Sequence, residues 1–291
     1  MITIFSLGYK GFFVLQNLAN EHRSLIDCVV IGRDKNLKND FSEELIDWCK
    51  EKEIPYEERS KFQASNSKSD FFLLLGWRWI LEKKEGKEVI VIHDSLLPKY
   101  RGFNPLVTAL IEGDKLIGAT AIFANAEVDA GDIILQKSVT IAYPIKIQEA
   151  MEKMAVLYFE IVREIFSLIS KGKPLPCIPQ SDQDVSFSLW RDELDYFIDW
   201  NLDSERIVRQ IDANGEPYAG ARTYFEGKVL KIFDAKLVED VKIFNRTPGK
   251  VIFKKEGNPV VVCGKGLIMI TDLRDELGNP YILPKFRARL T

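Results

Sequence analysis

The sequence predicts an α/β protein in which a doubly wound parallel sheet is followed by a small β-barrel. Over roughly the first 170 residues, short apolar runs alternate with segments of helical periodicity. Beyond a proline-rich connection, short strand-like runs are separated by glycine-bearing turns. With 291 residues and 46% apolar content, the chain is long enough to bury one large core or two medium cores.

The N-terminal elements alternate between strand and helix. The predicted strands cover residues 2–7, 26–31, 71–75, 89–93 and 116–123. The predicted helices cover residues 12–19, 40–52 and 145–171, and a further helix begins at Pro105. Asp40 is the predicted N-cap of the helix 40–52, and Glu43 three residues later completes the capping pattern. This alternation implies right-handed βαβ units, and hence a Rossmann-like parallel sheet with helices on both faces. Gly8 and Gly11 follow the first strand, where we expect a tight strand-to-helix turn and no dinucleotide site.

The proline-rich segment 173–181 is the predicted domain boundary. We therefore expect one domain at 1–180 and a second at 186–291. The second domain begins with a helix near 203–213, and its strands are joined by turns at 226–227, 256–259 and 264–266. Short strands with turns of this kind predict a small barrel.

The bulk properties exclude several classes of protein. A net charge of −3 and a pI of about 5.7 argue against a protein devoted to nucleic acid. The four cysteines lie far apart, which disfavours a disulfide framework or a zinc site, so we expect no metal and reduced thiols in the cytoplasm. No apolar run approaches the roughly 18 residues of a membrane span, and the first residues lack the pattern of a signal peptide.

The most informative residue for function is His93, at the end of the apolar run Val89-Ile90-Val91-Ile92. A buried strand that ends at a histidine and enters a Pro/Gly-bearing loop presents that side chain at the carboxyl edge of an α/β sheet. A second apolar run, 116–124, leads to the loop 127–132, where Asp129 offers a carboxylate to the imidazole. The alternative is a structural histidine with satisfied hydrogen bonds.

Three segments carry a resemblance to a known family. The pattern His93-x-Ser95-Leu96-Leu97-Pro98-x-Tyr100-Arg101-Gly102, then Pro105-Leu106 and Asp129-x-Gly131, resembles the core of the formyltransferases that use N10-formyltetrahydrofolate. Residues 70–81 resemble the folate-site loop of that family. Ile198-Asp199-Trp200, with 217–221, resembles the start of the second domain in its tRNA and sugar enzymes. The resemblance implies an OB-like second domain and N10-formyltetrahydrofolate as co-substrate.

The resemblance also implies roles for individual residues. His93 is expected to donate to the developing oxyanion and to shuttle a proton, while Asp129 orients the imidazole and favours its protonated form. The implied folate-binding residues are Gly76, Trp77, Arg78, Trp79, Ile80, Leu81 and Asp132. We expect one of the two tryptophans to pack inside the core. The implied substrate loop consists of Ser95, Leu96, Leu97, Pro98, Lys99, Tyr100, Arg101 and Gly102. Arg101 suits contact with an anion, and the alternative is a surface salt bridge.

One position departs from the family pattern. The family's catalytic asparagine corresponds to Val91, which shares a strand face with His93 because the two residues are two apart. Losing one oxyanion donor costs on the order of 10²–10³ in rate. Asn125 is the nearest polar amide in sequence to the catalytic loop and is our candidate for a substitute donor. The alternative is that it caps its own backbone turn.

The acceptor is predicted from charge. Glycinamide ribonucleotide transformylases usually lack the second domain, and a methionyl-tRNA formyltransferase needs basic residues to neutralise RNA phosphates. Residues 172–186 contain only Lys173 as a basic residue, and the second domain is close to charge-balanced. We therefore predict a nucleotide-linked amino sugar as partner, in surface-polysaccharide synthesis. The alternatives are a methionyl-tRNA formyltransferase and a catalytically impaired protein that binds folate or a sugar nucleotide. A homodimer is left open.

Overall fold

A computed structural model describes residues 1–18, 20–34, 39–81 and 86–291. Within it the chain forms two units, each described by itself. The first consists of Met1–Pro105, Leu116–Thr140 and Met151–Leu189, and the second of Leu106–Lys115, Ile141–Ala150 and Trp190–Thr291. The predicted domain ranges, 1–180 and 186–291, stay a prediction. Ala19, the predicted end of the first helix, lies outside the described residues.

In the described residues of the first unit there are nine strands. In chain order they are β1 (Ile2–Ser6), β2 (Ile26–Ile31), β3 (Tyr56–Glu58), β4 (Phe71–Leu75), β5 (Glu88–His93), β6 (Arg101–Gly102), β7 (Leu116–Phe123), β8 (Ile133–Thr140) and β9 (Phe187–Ser188). Seven of them form one sheet in the order β3-β2-β1-β4-β5-β7-β8, and the two-residue strands β6 and β9 pair with each other. Strand β1 lies inside the sheet, with a parallel neighbour on each side, and is buried along its whole length.

The sheet is parallel from β3 to β5 and antiparallel beyond it. The prediction that residues 116–123 continue the parallel pattern is therefore wrong. The helix before β7 has only 8 residues, which advance a chain by about 12 Å. Strand β5 has 6 residues and is about 20 Å long, so this helix is too short to return the chain along the whole strand.

The helices are α1 (Gly8–Asn17), α2 (Asn20–Arg23), α3 (Ser42–Glu51), α4 (Pro105–Glu112), α5 (Ile147–Ser170) and α6 (Ser204–Asn214). Helix α1 begins four residues earlier than predicted, at Gly8, whose φ of 74° suits glycine. A Cβ at Gly11 would lie 2.1 Å from Ser6 Oγ, so a glycine there allows close packing of α1 on β1. Helix α3 begins two residues after the predicted N-cap Asp40, whose Oδ1 instead accepts from the Ser42 amide at 3.0 Å.

The second unit contains a five-stranded antiparallel sheet. Its strands are β10 (Ala221–Phe225), β11 (Lys228–Val238), β12 (Val251–Lys255), β13 (Asn258–Val262) and β14 (Leu267–Arg274). They lie in the order β10-β11-β14-β13-β12. The turns predicted between β10 and β11, β12 and β13, and β13 and β14 are all present. The predicted helix is α6, capped by Asp203, whose side chain accepts from the Arg206 amide at 2.8 Å.

The last residues of the chain bridge the two edges of this second sheet. Thr291 exchanges two backbone hydrogen bonds, of 2.6 and 3.0 Å, with Tyr224 of β10. On the other side, the Val251 amide of β12 donates to Ala288 at 3.0 Å. The sheet thus closes around a core that includes Ile207, Ile232 and Ile268. In the described part of the chain, no helix is both long enough and apolar enough to cross a membrane.

Candidate active site

His93 is the last residue of β5 and is buried, with 7% of its surface exposed. Its Nε2 lies 2.7 Å from the carbonyl oxygen of Tyr100. Because a carbonyl only accepts, Nε2 carries the proton of this hydrogen bond. The other ring nitrogen, Nδ1, faces Oδ2 of Asp129 at 3.5 Å. The sequence predicted these two side chains within reach of each other, and they lie at ion-pair distance.

Asp129 lies in the loop between β7 and β8 with φ of 51°, in the left-handed region. Its Oδ2 also accepts from the Gly102 amide at 2.8 Å. The amide nitrogen of Gln180 donates to the carbonyls of Asp129, at 2.7 Å, and of Gly131, at 2.8 Å. A Cβ at Gly131 would lie 1.6 Å from the carbonyl oxygen of Phe123, so the loop requires glycine there. These contacts fix the carboxylate beside the imidazole.

Thr120 on β7 lies opposite His93 in the sheet and holds the loop that follows β5. Its hydroxyl donates to the Ser95 carbonyl at 2.6 Å and accepts from the Leu97 amide at 3.2 Å. Tyr100 has a left-handed φ of 60°, and its amide donates to Ser186 Oγ at 2.9 Å. The Tyr100 carbonyl is thereby held against the imidazole of His93.

Among the residues that the structure describes, the partner of the Arg101 guanidinium is an amide and not a carboxylate. Its Nε and Nη2 donate to Gln180 Oε1 at 3.1 and 2.7 Å. The expected alternative of a surface salt bridge is therefore wrong, and the guanidinium is held by a neutral amide. Elsewhere in the predicted substrate loop, Ser95 Oγ donates to the Lys99 carbonyl at 2.6 Å. Leu97 and Tyr100 are buried, Leu96 and Pro98 are half-buried, and Lys99 is exposed.

Sequence reasoning missed a partly buried charged cluster beside His93. Asp94 follows His93 directly, and its carboxylate forms an ion pair with Lys10 of α1. Its Oδ1 also accepts from the hydroxyl of Tyr158 of α5 at 2.7 Å, and that hydroxyl lies 2.8 Å from the Ile92 carbonyl. The Lys10 ammonium lies 4.8 Å from the centre of the Tyr158 ring. The signal that could have found the cluster is Tyr158, since a phenol at an apolar helix position needs a partner for its hydroxyl.

The cluster shifts the ionisation of its own members. Burial opposes ionisation of Asp94, but Lys10 and the Tyr158 hydroxyl outweigh it, so the pKa of Asp94 lies below the ordinary value. Burial and the Asp94 carboxylate together raise the pKa of Tyr158 well above its ordinary value. At neutral pH Asp94 is therefore a carboxylate and Tyr158 a neutral phenol.

The predicted folate loop follows β4. Gly76 has φ of 63°, and a Cβ there would lie 2.6 Å from the Leu7 carbonyl oxygen. Trp77 and Trp79 are both half-buried. Trp77 packs against the core cluster of Phe5 and Phe72, so the expectation that one of them packs inside is met in part. The ring centres of the two tryptophans are 4.8 Å apart at an interplanar angle of 73°. Both indoles line a cavity of about 260 Å³.

The other residues predicted to bind folate differ in their surroundings. Arg78 is ion-paired with Asp34. Ile80 is 97% exposed and Leu81 is half-buried. Asp132 is half-buried, and its Oδ2 accepts from the Cys177 thiol at 3.1 Å. The structure thus brings Trp77, Trp79, Ile80 and Leu81 to one cavity and leaves Asp132 outside its lining.

Val91 packs in an apolar cluster that includes Phe72, Val89 and Trp77. Its isopropyl group therefore offers no donor on the face that it shares with His93. Asn125 is exposed, and its Oδ1 accepts from the Glu127 amide at 3.0 Å. This is the local turn that we gave as the alternative for Asn125, and its role as a substitute donor stays a prediction.

The chain matches two protein-family models and several curated proteins. The model of the formyl transferase family matches residues 40–160, and the model of the formyl transferase C-terminal domain matches residues 192–288. A methionyl-tRNA formyltransferase of Caldanaerobacter subterraneus is 33% identical over 64% of this chain and 59% of its own length. The chain spans less than two thirds of the first curated relatives it matches. A methionyl-tRNA formyltransferase of Streptococcus thermophilus is 29% identical over 96% of this chain and 93% of its own length.

Solved structures share the fold at low sequence identity. An N-formyltransferase of Helicobacter canadensis, solved with folinic acid and dTDP-3-aminofucose, has a TM-score of 0.71 and 16% identity. The match covers 92% of this chain and 98% of that one.

Proposed function

Because this chain belongs to the formyl transferase family, we propose that it transfers a formyl group from N10-formyltetrahydrofolate to the amino group of a nucleotide-linked amino sugar. The observation that carries the proposal is the His93–Asp129 pair at the carboxyl end of β5, with Nδ1 and Oδ2 3.5 Å apart. The folate supplies the formyl group when bound. The aromatic cavity beside Trp77 and Trp79 suits a flat ring system.

The hydrogen bonds of His93 assign its proton-handling atom. Nε2 donates to the Tyr100 carbonyl, so in the neutral imidazole the lone pair lies at Nδ1. That atom can accept the proton that an attacking amine releases. The Asp129 carboxylate stabilises the imidazolium formed in this way, and the Gly102 amide keeps the carboxylate in place. Nδ1 can then return the proton to the leaving nitrogen.

The cluster of Lys10, Asp94 and Tyr158 supports this pair. It joins α1, the end of β5 and α5 through a partly buried ion pair and a hydrogen bond to a charged group. Such contacts hold the strand end, and with it the backbone of His93, in one position. Precise placement of a catalytic group matters because misplacement of about 1 Å can cost about 10² in rate.

Charge supports a sugar nucleotide over tRNA as acceptor. The segment 172–186 has one basic residue, and the second domain is close to charge-balanced, whereas an RNA polyanion calls for several phosphate contacts. A sugar nucleotide confines its charge to one diphosphate. The tRNA alternative has its own support, because the curated relatives named above are methionyl-tRNA formyltransferases. A role in surface-polysaccharide synthesis in the cytoplasm belongs to the sugar proposal.

A non-catalytic alternative is favoured by one observation. Val91 leaves its strand face without an amide donor, and its packing neighbours are apolar. A protein that bound folate or a sugar nucleotide without transfer would tolerate this change. The retained His93–Asp129 geometry favours the enzyme.

The proposal is tested with a panel of acceptors. The purified chain is mixed with N10-formyltetrahydrofolate and dTDP-, UDP- or GDP-linked amino sugars, or with methionyl-tRNA, and products are detected by mass spectrometry. We expect formylation of one class of amino sugar and none by His93→Asn. Formylation of methionyl-tRNA alone would establish the tRNA alternative. Folate binding without transfer to any acceptor would establish the non-catalytic one.

A further inference from the structure

Positive charge in the second unit is concentrated in two stretches of sequence. Residues 241–255 and 280–291 contain eight lysines and arginines, five in the first stretch and three in the second, and no aspartate or glutamate. Residues 186–291 as a whole are close to charge-balanced, so the acidic residues lie elsewhere in the sequence. The potential of a surface depends on its local charges, and any surface that these two stretches form together is therefore positive.

The structure places the two stretches side by side. The Val251 amide of β12 donates to the carbonyl of Ala288 in the C-terminal stretch at 3.0 Å. Next to this hydrogen bond, Lys250 and Arg289 lie directly opposite each other in an antiparallel bridge. Like charges in such a position destabilise the pairing of two strands. The two cations therefore oppose folding, and a negatively charged partner would relieve their repulsion.

Two of the eight cations are paired within the second unit. Arg246 contacts Asp240 at 2.5 Å, and Lys285 contacts Glu226 at 2.8 Å. Among the described residues, no carboxylate lies at ion-pair distance from the other six, which are all exposed: Lys242, Lys250, Lys254, Lys255, Arg287 and Arg289. We call these six residues the basic surface. Its charges are available to an external anion.

Large apolar side chains project from the same two stretches. Phe244 is 91% exposed, and the Lys242 ammonium lies 4.7 Å from the centre of its ring. Ile282 is 85% exposed and lines a cavity of about 210 Å³ together with Lys254. Phe286 in the C-terminal stretch is half exposed, at 50%. The basic surface is thus interspersed with apolar side chains that the fold leaves in water.

We propose that the basic surface binds the anionic face of a lipid bilayer. Cations beside exposed apolar side chains are typical of proteins that lie on membranes, because the cations attract anionic headgroups while the apolar groups enter the boundary of the acyl chains. An RNA would attract the same cations and would stack on a phenylalanine, but it offers no apolar environment to Ile282. This attachment needs no helix that crosses the bilayer, and it does not rest on the proposed formyl transfer.

The test is co-sedimentation of the full chain with unilamellar vesicles. One set of vesicles contains phosphatidylcholine alone, and the other contains phosphatidylcholine and phosphatidylglycerol in equal amounts. A double variant, Lys250→Gln with Arg289→Gln, removes the two opposed cations. The variant Phe244→Ser removes an exposed apolar side chain. Both changes lie at exposed positions, and circular dichroism checks that each variant is folded.

Each variant has a matched control. The control for charge is Lys171→Gln with Lys173→Gln, which removes two exposed lysines of the first unit and changes the net charge by the same amount. The control for apolar exposure is Leu194→Ser, since Leu194 is 74% exposed but lies between two acidic residues, Glu193 and Asp195. Filter binding to bulk tRNA is measured in parallel for the wild type and the double variants.

We expect the wild type to bind the mixed vesicles at low salt, to bind phosphatidylcholine at least about tenfold more weakly, and to dissociate at high salt. Each cation near an anionic bilayer strengthens binding about fivefold, so Lys250→Gln with Arg289→Gln should bind about twentyfold more weakly. Phe244→Ser should bind about fivefold more weakly. Both controls should match the wild type, because a chain with a net charge of −3 is attracted to an anionic bilayer only by a local surface.

Three results would overturn the proposal. A wild-type chain that does not sediment with the mixed vesicles has no such surface. Equal weakening by the two double variants would show that attraction depends on net charge and not on Lys250 and Arg289. Binding of tRNA through these two residues, without binding of vesicles, would make the basic surface an RNA site. In addition, a Phe244→Ser variant that sediments like the wild type would contradict insertion of the apolar side chains.

Discussion

Replacing Tyr158 by Phe removes one oxygen atom from the charged cluster and leaves the ring in place. The hydroxyl is fully buried and lies 2.7 Å from an oxygen of Asp94, which is ionised at neutral pH. Hydrogen bonds to charged groups contribute about 1.5–3 kcal/mol to stability. Because the truncation leaves almost no cavity, we expect Tyr158→Phe to lower the free energy of unfolding by about that amount.

The assay is equilibrium urea unfolding at neutral pH, with Tyr143→Phe as the matched control. The Tyr143 hydroxyl lies 2.9 and 3.2 Å from two backbone carbonyls, of Asp114 and Leu110. A hydrogen bond between neutral groups contributes about 0.5–1.5 kcal/mol. Tyr158→Phe should therefore cost clearly more than Tyr143→Phe. Equal costs would refute the idea that the phenol stabilises a buried carboxylate.

The same variant should change the pH dependence of stability. The pKa of Asp94 is lowered in the folded state, so its contribution is present at neutral pH and is lost as the pH falls through that lowered pKa. Tyr158→Phe removes one of the groups that lower the pKa. The loss of stability that Asp94 causes in acid should then be smaller than in the wild type and should be complete at a higher pH, as urea unfolding in a series of acidic buffers would measure. An unchanged acid profile would contradict the linkage.

Two further predictions concern the catalytic loop and its missing amide. Val91→Asn should raise the single-turnover rate of formyl transfer by up to about a hundredfold, with little change in folate affinity. If the new amide finds no hydrogen-bond partner, the free energy of unfolding should fall by about 1–3 kcal/mol. If the rate does not rise, Asn125→Ala must lower it at least about tenfold for Asn125 to be the substitute donor. Gly131→Ala should lower the free energy of unfolding, measured with urea, by about 1–3 kcal/mol and should slow formyl transfer, because the new Cβ meets the Phe123 carbonyl. A variant with the stability and the transfer rate of the wild type would contradict the tight turn beside Asp129.

The strands of the first sheet and the parallel pairing of β1, β2, β4 and β5 were largely predictable, but the direction of β7 was not. Strands β1, β2, β4 and β5 are apolar runs because parallel strands are buried on both faces, and their observed bounds lie within one or two residues of the predicted ones. The apolar run of β7 predicted a strand, yet periodicity carries no information on direction. Strand β8 went unpredicted because it is an edge strand with polar residues such as Gln136 and Lys137.

The candidate site was predictable where its residues follow strand ends. His93 ends an apolar run and lies at the carboxyl end of its strand, as the pattern predicts. Asp129 follows β7, which runs antiparallel to β5 and ends beside Ile90, so the loop after β7 has to return along β5 to bring Asp129 to His93, and strand ends alone did not predict this contact. Lys10 and Tyr158 contact Asp94 across 84 and 64 residues of sequence, and local patterns do not fix which distant side chains meet. Gln180 was placed in an interdomain connection because of the surrounding prolines, yet it binds the backbone of Asp129. Gln180 belongs to no helical or strand-like periodic pattern, so the sequence did not mark it as part of the site.

The central claim is that His93 carries the proton in formyl transfer, and one measurement tests it most directly. The single-turnover rate is compared between wild type and His93→Asn, with the acceptor identified in the panel and with folate affinity measured in parallel. We expect the rate to fall by at least about a hundredfold while folate affinity stays the same, because the imidazole acts on the amine proton and not on folate binding. A His93→Asn variant that keeps most of its rate would contradict the mechanism, even within the same family.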